Sequence, residues 1–322
     1  MKSEAEFDQL YQSQLVPALE PLERSRKIAV TAFWLAITWL AAAGACCVIA
    51  TMIGHPAAFL LLIPPIIMAF IKFSDHGKKK AAYVLEFKEK VIRALVKMID
   101  PGLDYNPQSS ISMDEYTESD IFRQRIDRYS GDDLVNGKLG MTVCKFSELQ
   151  HLEKQVTYDS KGNRHESWVT IFKGIFFIAD FNKNFNGRTY VLPDAGSSFF
   201  GIGKLFEKWT MGRGELVKLE DPVFEKYFTV YGTDQIEALY ILSPSLMDRL
   251  VKYQQKISTR LHLSFIHSRV FVALSINKEL FEPNIFSSGV RPDYLKEYFG
   301  YLELVTAIVD DLNLNTRIWG KQ

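Results

Sequence analysis

The chain has 322 residues, and its 38 lysines and arginines balance 38 aspartates and glutamates, so no bulk field favours a nucleic-acid partner. Its three cysteines give no disulfide framework, which is typical of a reducing compartment.

Residues 1–27 are predicted to form an N-terminal helix on the cytoplasmic side. Two long apolar runs follow, Ile28–Ile53 and Ala57–Ile71, with Gly54-His55-Pro56 between them. The first run contains no charged side chain and is longer than the about 20 residues that cross a bilayer core. We therefore predict a two-helix transmembrane hairpin over residues 28–73.

A proline pair lies within the second apolar run. Pro64 and Pro65 remove two backbone donors, and a membrane helix can tolerate this loss with a kink. We therefore expect the second span to be kinked at this pair.

Basic residues flank the hairpin on both outer sides, whereas the connecting turn has none. The positive-inside rule therefore predicts a multi-pass protein of the bacterial inner membrane, with both termini in the cytoplasm and the turn outside. The flanking residues are Arg24, Arg26, Lys27, Lys72, Lys78, Lys79 and Lys80.

The remaining residues, 74–322, are predicted to form a cytoplasmic α+β domain. An amphipathic helix over Lys78–Ile99 precedes strand-like segments, and a last helix starts at Pro292. Asn136-Gly137 is a hairpin turn signal, and Leu261–Ile276 has the alternation of a closing hairpin. Strands clustered between helices indicate a mainly antiparallel sheet with flanking helices.

Several short stretches resemble the bacterial membrane-anchored family catalogued as domain of unknown function 3137. The resemblance extends over about residues 80–320 together with the hairpin layout. It implies a cytoplasmic domain held at the inner membrane, but no activity or catalytic residues. The stretches are Phe172–Phe176, Ala179–Lys183, Val217–Glu220, Phe224–Tyr231, Asp234–Ala238, Tyr240–Pro244 and Leu280–Pro283.

Motifs for catalysis are absent from the sequence. The six histidines form no metal-ligand spacing, and neither a G-x-S-x-G nor a P-loop motif occurs. We therefore expect no metal and no cofactor. If the protein is an enzyme, the candidate catalytic groups are the carboxylates of Asp180, Asp234 and Glu237, although a surface ion-pair network is the alternative interpretation.

Residues 197–213 combine large apolar side chains with basic ones. On a helix such a pattern suits the surface of an anionic membrane leaflet, and it also suits a helix packed on the sheet or on a partner. The candidate contact residues are Phe199, Ile202, Lys204, Phe206, Lys208, Trp209 and Arg213.

Together, these patterns favour a binding or scaffold module anchored in the inner membrane, with a protein partner or anionic lipid as its ligand. The alternatives are a membrane-associated enzyme acting on a lipid or nucleotide, and a structural subunit of a larger membrane complex.

Overall fold

The structure is a computed structural model that describes residues 11–181, 183–194, 212–257, 259–288 and 292–314. The chain folds into two compact units. One contains residues 2–95 and 281–299, and the other contains residues 96–280 and 300–322.

Along the described chain, helices precede the strands, occur between some of them and follow the last one. A π-helical turn, Tyr11–Leu15, leads into α1. A 3₁₀ segment, Pro56–Leu62, precedes α2, and a second π-helical turn, Lys88–Ile92, joins α2 to α3. The α-helices are α1 Val16–Ile53, α2 Ile63–Phe87, α3 Arg93–Ile99, α4 Met113–Glu118, α5 Gln235–Ile241, α6 Pro244–Lys256 and α7 Pro292–Asp311.

Nine strands form one sheet in the order β1-β2-β3-β4-β9-β8-β5-β7-β6, and all paired strands are antiparallel. This confirms the predicted α+β class. The strands are β1 Leu103–Asn106, β2 Arg128–Leu139, β3 Thr142–Tyr158, β4 Arg164–Asp180, β5 Arg188–Pro193, β6 Glu215–Leu216, β7 Phe228–Gly232, β8 Leu261–Ile266 and β9 Arg269–Ser275.

In the unit that contains α1 and α2, these helices pack against each other through aromatic and polar contacts near one end. The Phe33 ring lies 6.2 Å from that of Phe73 and 5.3 Å from that of His76. The His76 Nδ1 atom lies 2.9 Å from the Ala29 carbonyl oxygen. Most of the apolar side chains between these contacts and the turn remain exposed, including Phe70 at 75%.

The proline pair predicted to kink the second span lies where the 3₁₀ segment changes to α2. Both prolines stand at the start of α2, directly after the 3₁₀ segment. Backbone N–H groups in the first turn of a helix have no intrahelical acceptor. Prolines, which lack this group, therefore cost little there. The amphipathic helix predicted from Lys78 is also not separate, because α2 continues through it to Phe87.

One prediction within the sheet is also corrected. Asn136-Gly137 lies inside β2 rather than in a turn, and the reversal to β3 falls at Gly140-Met141. A register shift between Asp132 and Val135 changes the pairing of β2, and a two-residue turn signal does not reveal it. After β7 the chain forms helix α5, whose N-terminus is capped by Asp234.

Gly174 occupies a position in β4 that no side chain can fill. Its φ is +147°, and an added Cβ would lie 2.1 Å from the Leu274 carbonyl oxygen of β9. We predict that Gly174→Ala lowers the free energy of unfolding by at least about 2 kcal/mol, measured by urea titration of the detergent-solubilised chain.

Gly300 provides the matched control for this prediction. It lies within α7 with open space around its Cβ position, so Gly300→Ala should raise stability by about 0.5–1 kcal/mol. Equal effects of the two substitutions would contradict the assignment of Gly174 as a close-approach position.

Candidate functional site

One face of the sheet is covered by the segment that contains α4 and the residues after it. Tyr116 and Phe122 of this segment stack with ring centroids 6.0 Å apart, above Phe172 and Phe176 of β4. The Ser264 hydroxyl of β8 donates to the Ser119 carbonyl at 2.7 Å. These contacts fix the backbone that follows α4.

That backbone begins with Asp120, which carries a positive φ of +52°. An aspartate tolerates this conformation better than most residues, and the conformation ends α4. The Asp120 carboxylate accepts from the Tyr190 hydroxyl of β5 at 2.6 Å and from Arg123 Nε at 2.6 Å. A second guanidinium nitrogen of Arg123 also donates to it, so the pair is bidentate.

Two further arginines complete this group. Arg188 shares a sheet face with Tyr190, and its Nη1 lies 3.7 Å from the Asp120 carboxylate. Arg213 lies just before β6, with its guanidinium carbon 5.0 Å from the centre of the Tyr190 ring. Its Nη2 donates to the Ile121 carbonyl at 2.7 Å. We call Asp120, Arg123, Arg188, Tyr190 and Arg213 the arginine cluster.

The electrostatics of the cluster follow from burial and from its own charges. Burial, together with the like charge of Arg123, lowers the pKa of Arg213 to about 10. Burial alone would raise the pKa of Asp120, but hydrogen bonds from Arg123 and Tyr190 outweigh it and lower that pKa. Asp120 is therefore ionised at neutral pH, when all three guanidiniums are charged as well.

Arg213 is the member of the predicted segment 197–213 whose side chain can be described. It is 1% exposed and outside any helix, so here it serves the interior of the domain rather than a helix surface. The other predicted contact residues lie outside the described residues, and their role stays a prediction. They are Phe199, Ile202, Lys204, Phe206, Lys208 and Trp209.

The predicted catalytic carboxylates have local structural partners. Asp234 accepts from the backbone of Ile236 at 2.8 Å and of Glu237 at 3.0 Å, as the cap of α5. Glu237 accepts from the backbone of Asn186 at 3.1 Å and of Gly187 at 2.5 Å, and so holds the turn before β5.

Asp180 is separated from the other two carboxylates by the sheet itself. In the register of the sheet, Asp180 of β4 lies opposite Arg269 of β9. Arg269 lies opposite Ile266 of β8, and Ile266 lies opposite Arg188 of β5. Three strand spacings amount to about 14 Å. Asp234 follows Thr233, whose backbone N–H donates to Arg188 at 3.0 Å. The geometry therefore does not gather the three carboxylates into one pocket.

A second acidic group was not predicted from the sequence. Carboxylate oxygens of Asp132, Asp133 and Glu148 lie within 4.8 Å of one another, with the last two buried. Tyr105 donates to Asp133, and the backbone N–H of Leu280 donates to Glu148 at 3.0 Å.

Burial, together with the charges of the neighbouring aspartates, raises the pKa of Glu148 to about 7. Hard cations such as Ca²⁺ bind carboxylate ligands of this kind. At neutral pH, however, part of the Glu148 population is protonated. The irregular register of β2 places Asp132 opposite Glu148, so only the folded pairing could reveal the group.

The comparisons with known proteins leave the function open. The structure contains an α+β domain with an antiparallel sheet, and two helices that are long and apolar enough to cross a membrane. Residues 170–314 match the family described as protein of unknown function (DUF3137). The match confirms the predicted family resemblance over these residues.

A solved structure, that of the mycobacterial trehalose monomycolate transport factor A, TtfA, is similar with 10% sequence identity. The match covers 68% of this chain and 96% of that one, at a TM-score of 0.32. A likeness at this level carries no functional conclusion for this chain. No curated protein matches this chain.

Glu148 makes the stability of the domain dependent on pH. A carboxyl whose pKa is raised in the folded state contributes its full stability below its unfolded pKa, and this stability is lost as pH rises through the folded value. With a folded pKa of about 7, the loss falls roughly between pH 4.5 and pH 7 and amounts to about 3 kcal/mol.

We therefore predict that Glu148→Gln flattens the fall in unfolding free energy between pH 5 and pH 8. Urea titrations at both pH values measure it. The same substitution at the exposed Glu225 is the control and should leave the fall unchanged. An equal pH dependence in wild type and Glu148→Gln would contradict this account of Glu148.

Proposed function

We propose that the protein is a membrane-anchored binding module whose domain lies in the cytoplasm and whose function requires no catalysis. The observation that carries the proposal is the exposure of the apolar helices. Only 17% of the most apolar stretch of Leu19–Ile53, and 11% of that of Pro56–Ile99, is buried. A core helix of a soluble domain would be mostly buried, whereas a membrane helix exposes such side chains to lipid.

The distribution of basic residues supports an orientation with both termini in the cytoplasm. Lysines and arginines occur on both outer flanks of the apolar helices, and the turn around His55 has none. The inner membrane of a bacterium is the membrane that this arrangement and the family resemblance favour.

The structural roles of the carboxylates support binding over catalysis. Asp234 caps a helix, Glu237 holds a turn, and Asp180 lies three strand spacings, about 14 Å, from Arg188 of β5. The enzyme alternative therefore has less support in this domain. A structural subunit of a larger complex would share these features. A co-purifying protein would favour such a subunit, and a co-purifying lipid would favour a module that binds lipid.

The orientation predicts the labelling of single cysteines introduced into a chain whose three native cysteines are replaced by alanine. In intact cells, a membrane-impermeant maleimide should label a His55→Cys variant, because the turn lies outside. A variant with cysteine in place of Asp159, at the exposed β3–β4 turn, should react only after the membrane is permeabilised. The reverse pattern would contradict the orientation, and labelling of both sites would contradict membrane insertion.

The predicted contact segment supplies a second test. We expect mild-detergent purification of the full chain to retain a stoichiometric protein or an anionic lipid, which mass spectrometry identifies. A Phe206→Ala/Trp209→Ala variant should lose it, because both residues supply the apolar surface of the predicted contact.

Leu239→Ala provides the matched control. This side chain is apolar and 51% exposed on α5, so its truncation should not affect the retained molecule. Equal loss from both variants would assign the contact to nonspecific apolar adhesion, and equal retention would remove the segment from the interface.

A further inference from the structure

The arginine cluster carries more positive charge than its own carboxylate balances. Arg123, Arg188 and Arg213 supply three guanidinium charges, whereas Asp120 supplies one carboxylate. The neighbouring ion pair of Glu118 and Arg269 is balanced and does not change this excess. A local excess of cationic charge favours an anion as the ligand.

Burial within the cluster increases from its rim to its base. The side chain of Arg188 is 49% exposed, that of Arg123 28%, and that of Asp120 19%. Arg213 is 1% exposed at the base. An anion can therefore reach the rim from solvent, while the lower side is screened from water and counterions, where electrostatic attraction is stronger.

The cationic groups are held in place before any ligand arrives. Arg123 is fixed on both sides, by its bidentate pair with Asp120 and by donation to the Gly212 carbonyl at 3.3 Å. The guanidinium carbons of Arg213 and Arg123 lie 5.0 Å and 5.7 Å from the centre of the Tyr190 ring. Such preorganisation reduces the entropy that binding would otherwise cost.

Asp120 limits how strongly the cluster attracts an anion. Its oxygens accept from Tyr190 and Arg123, whereas Arg188 lies 3.7 Å from it, hydrogen-bonds with Tyr190 and is the most exposed arginine of the cluster. Arg188 is therefore the arginine best placed to turn toward a second anion. The planar guanidinium suits an oxyanion such as phosphate, because two parallel N–H groups can donate to two oxygens.

We propose that the arginine cluster binds a phosphate-type oxyanion, either free or as the phosphate of a lipid headgroup. The inference rests on the proposed binding function and names the chemical class of one ligand. Arg188 and Arg123 contact the anion at the rim, and Arg213 supplies charge from below.

Isothermal titration calorimetry with inorganic phosphate tests the proposal, using the full chain in a nonionic detergent at low ionic strength. We expect saturable binding to the wild type. Arg188→Gln should weaken it about tenfold, the effect of one charge-assisted hydrogen bond. The matched control is Arg125→Gln, because Arg125 is 65% exposed, pairs with Asp127 and lies outside the cluster.

A variant of Asp120 should act in the opposite direction. Asp120→Asn removes the internal carboxylate and raises the excess charge, so phosphate should bind several-fold more tightly. A residue that only maintained the fold would weaken binding when altered. A melting curve without phosphate shows for each variant whether it is folded, and Arg188→Gln keeps the test valid if Asp120→Asn unfolds.

The same titration in nanodiscs distinguishes the two sources of phosphate. If a lipid headgroup occupies the cluster, discs containing phosphatidylglycerol should weaken binding of added phosphate relative to phosphatidylcholine discs, and Arg188→Gln should abolish the difference. If the ligand is free phosphate, both discs should give the same affinity. Either result supports the site.

Two outcomes would overturn the proposal. One is no saturable phosphate binding to the folded wild type, and the other is equal weakening by Arg188→Gln and Arg125→Gln. Failure here leaves the proposed function intact if the chain still labels as a two-span membrane protein and retains a partner. Phosphate binding by a chain that does not insert into membranes would instead reject the proposed function alone.

Discussion

The buried charge of Arg213 is the constraint on which this region of the domain depends. Moving a guanidinium out of water costs several kcal/mol unless nearby groups replace the lost hydration. Groups that do so here include the Ile121 carbonyl, the face of the Tyr190 ring and the more distant charge of Asp120.

The segment after α4 meets this requirement because its backbone is fixed from several directions. Asp120 ends α4 with a positive φ and turns its carboxylate toward Tyr190. The next residue presents its carbonyl to Arg213, and the Ser119 carbonyl is held by the Ser264 hydroxyl of β8. The packing of this segment on the sheet and the electrostatics of the cluster therefore stabilise each other, and both would fail if the segment detached.

Local patterns predicted the broad architecture because they depend on neighbouring residues. The apolar run to Ile53 predicted the end of α1, and the alternation over Leu261–Ile276 predicted the β8–β9 hairpin. Predictions failed where distant contacts decide. Asn136-Gly137 lies in a strand because β3 and β1 pair on either side of it.

The candidate site shows the same limit more strongly. Sequence reasoning selects Arg213 for its charge but assigns it to a helix at the membrane surface, on the sheet or on a partner, since its partner Ile121 lies 92 residues away in the chain. Asp120 stands among other acidic residues that favour a solvated helix start, and Arg123 and Arg188 carry no signal in the sequence. Only the pairing of β5 and the fold of the segment after α4 bring them together.

The most direct test is a crystal structure of the full chain soaked in selenate, whose selenium gives an anomalous signal. The account predicts an anomalous peak within hydrogen-bond reach of the Arg188 and Arg123 guanidiniums, with Arg213 below it. Well-ordered arginines without such a peak, or a peak only at surface lysines elsewhere, would contradict the claim that the cluster is an oxyanion site.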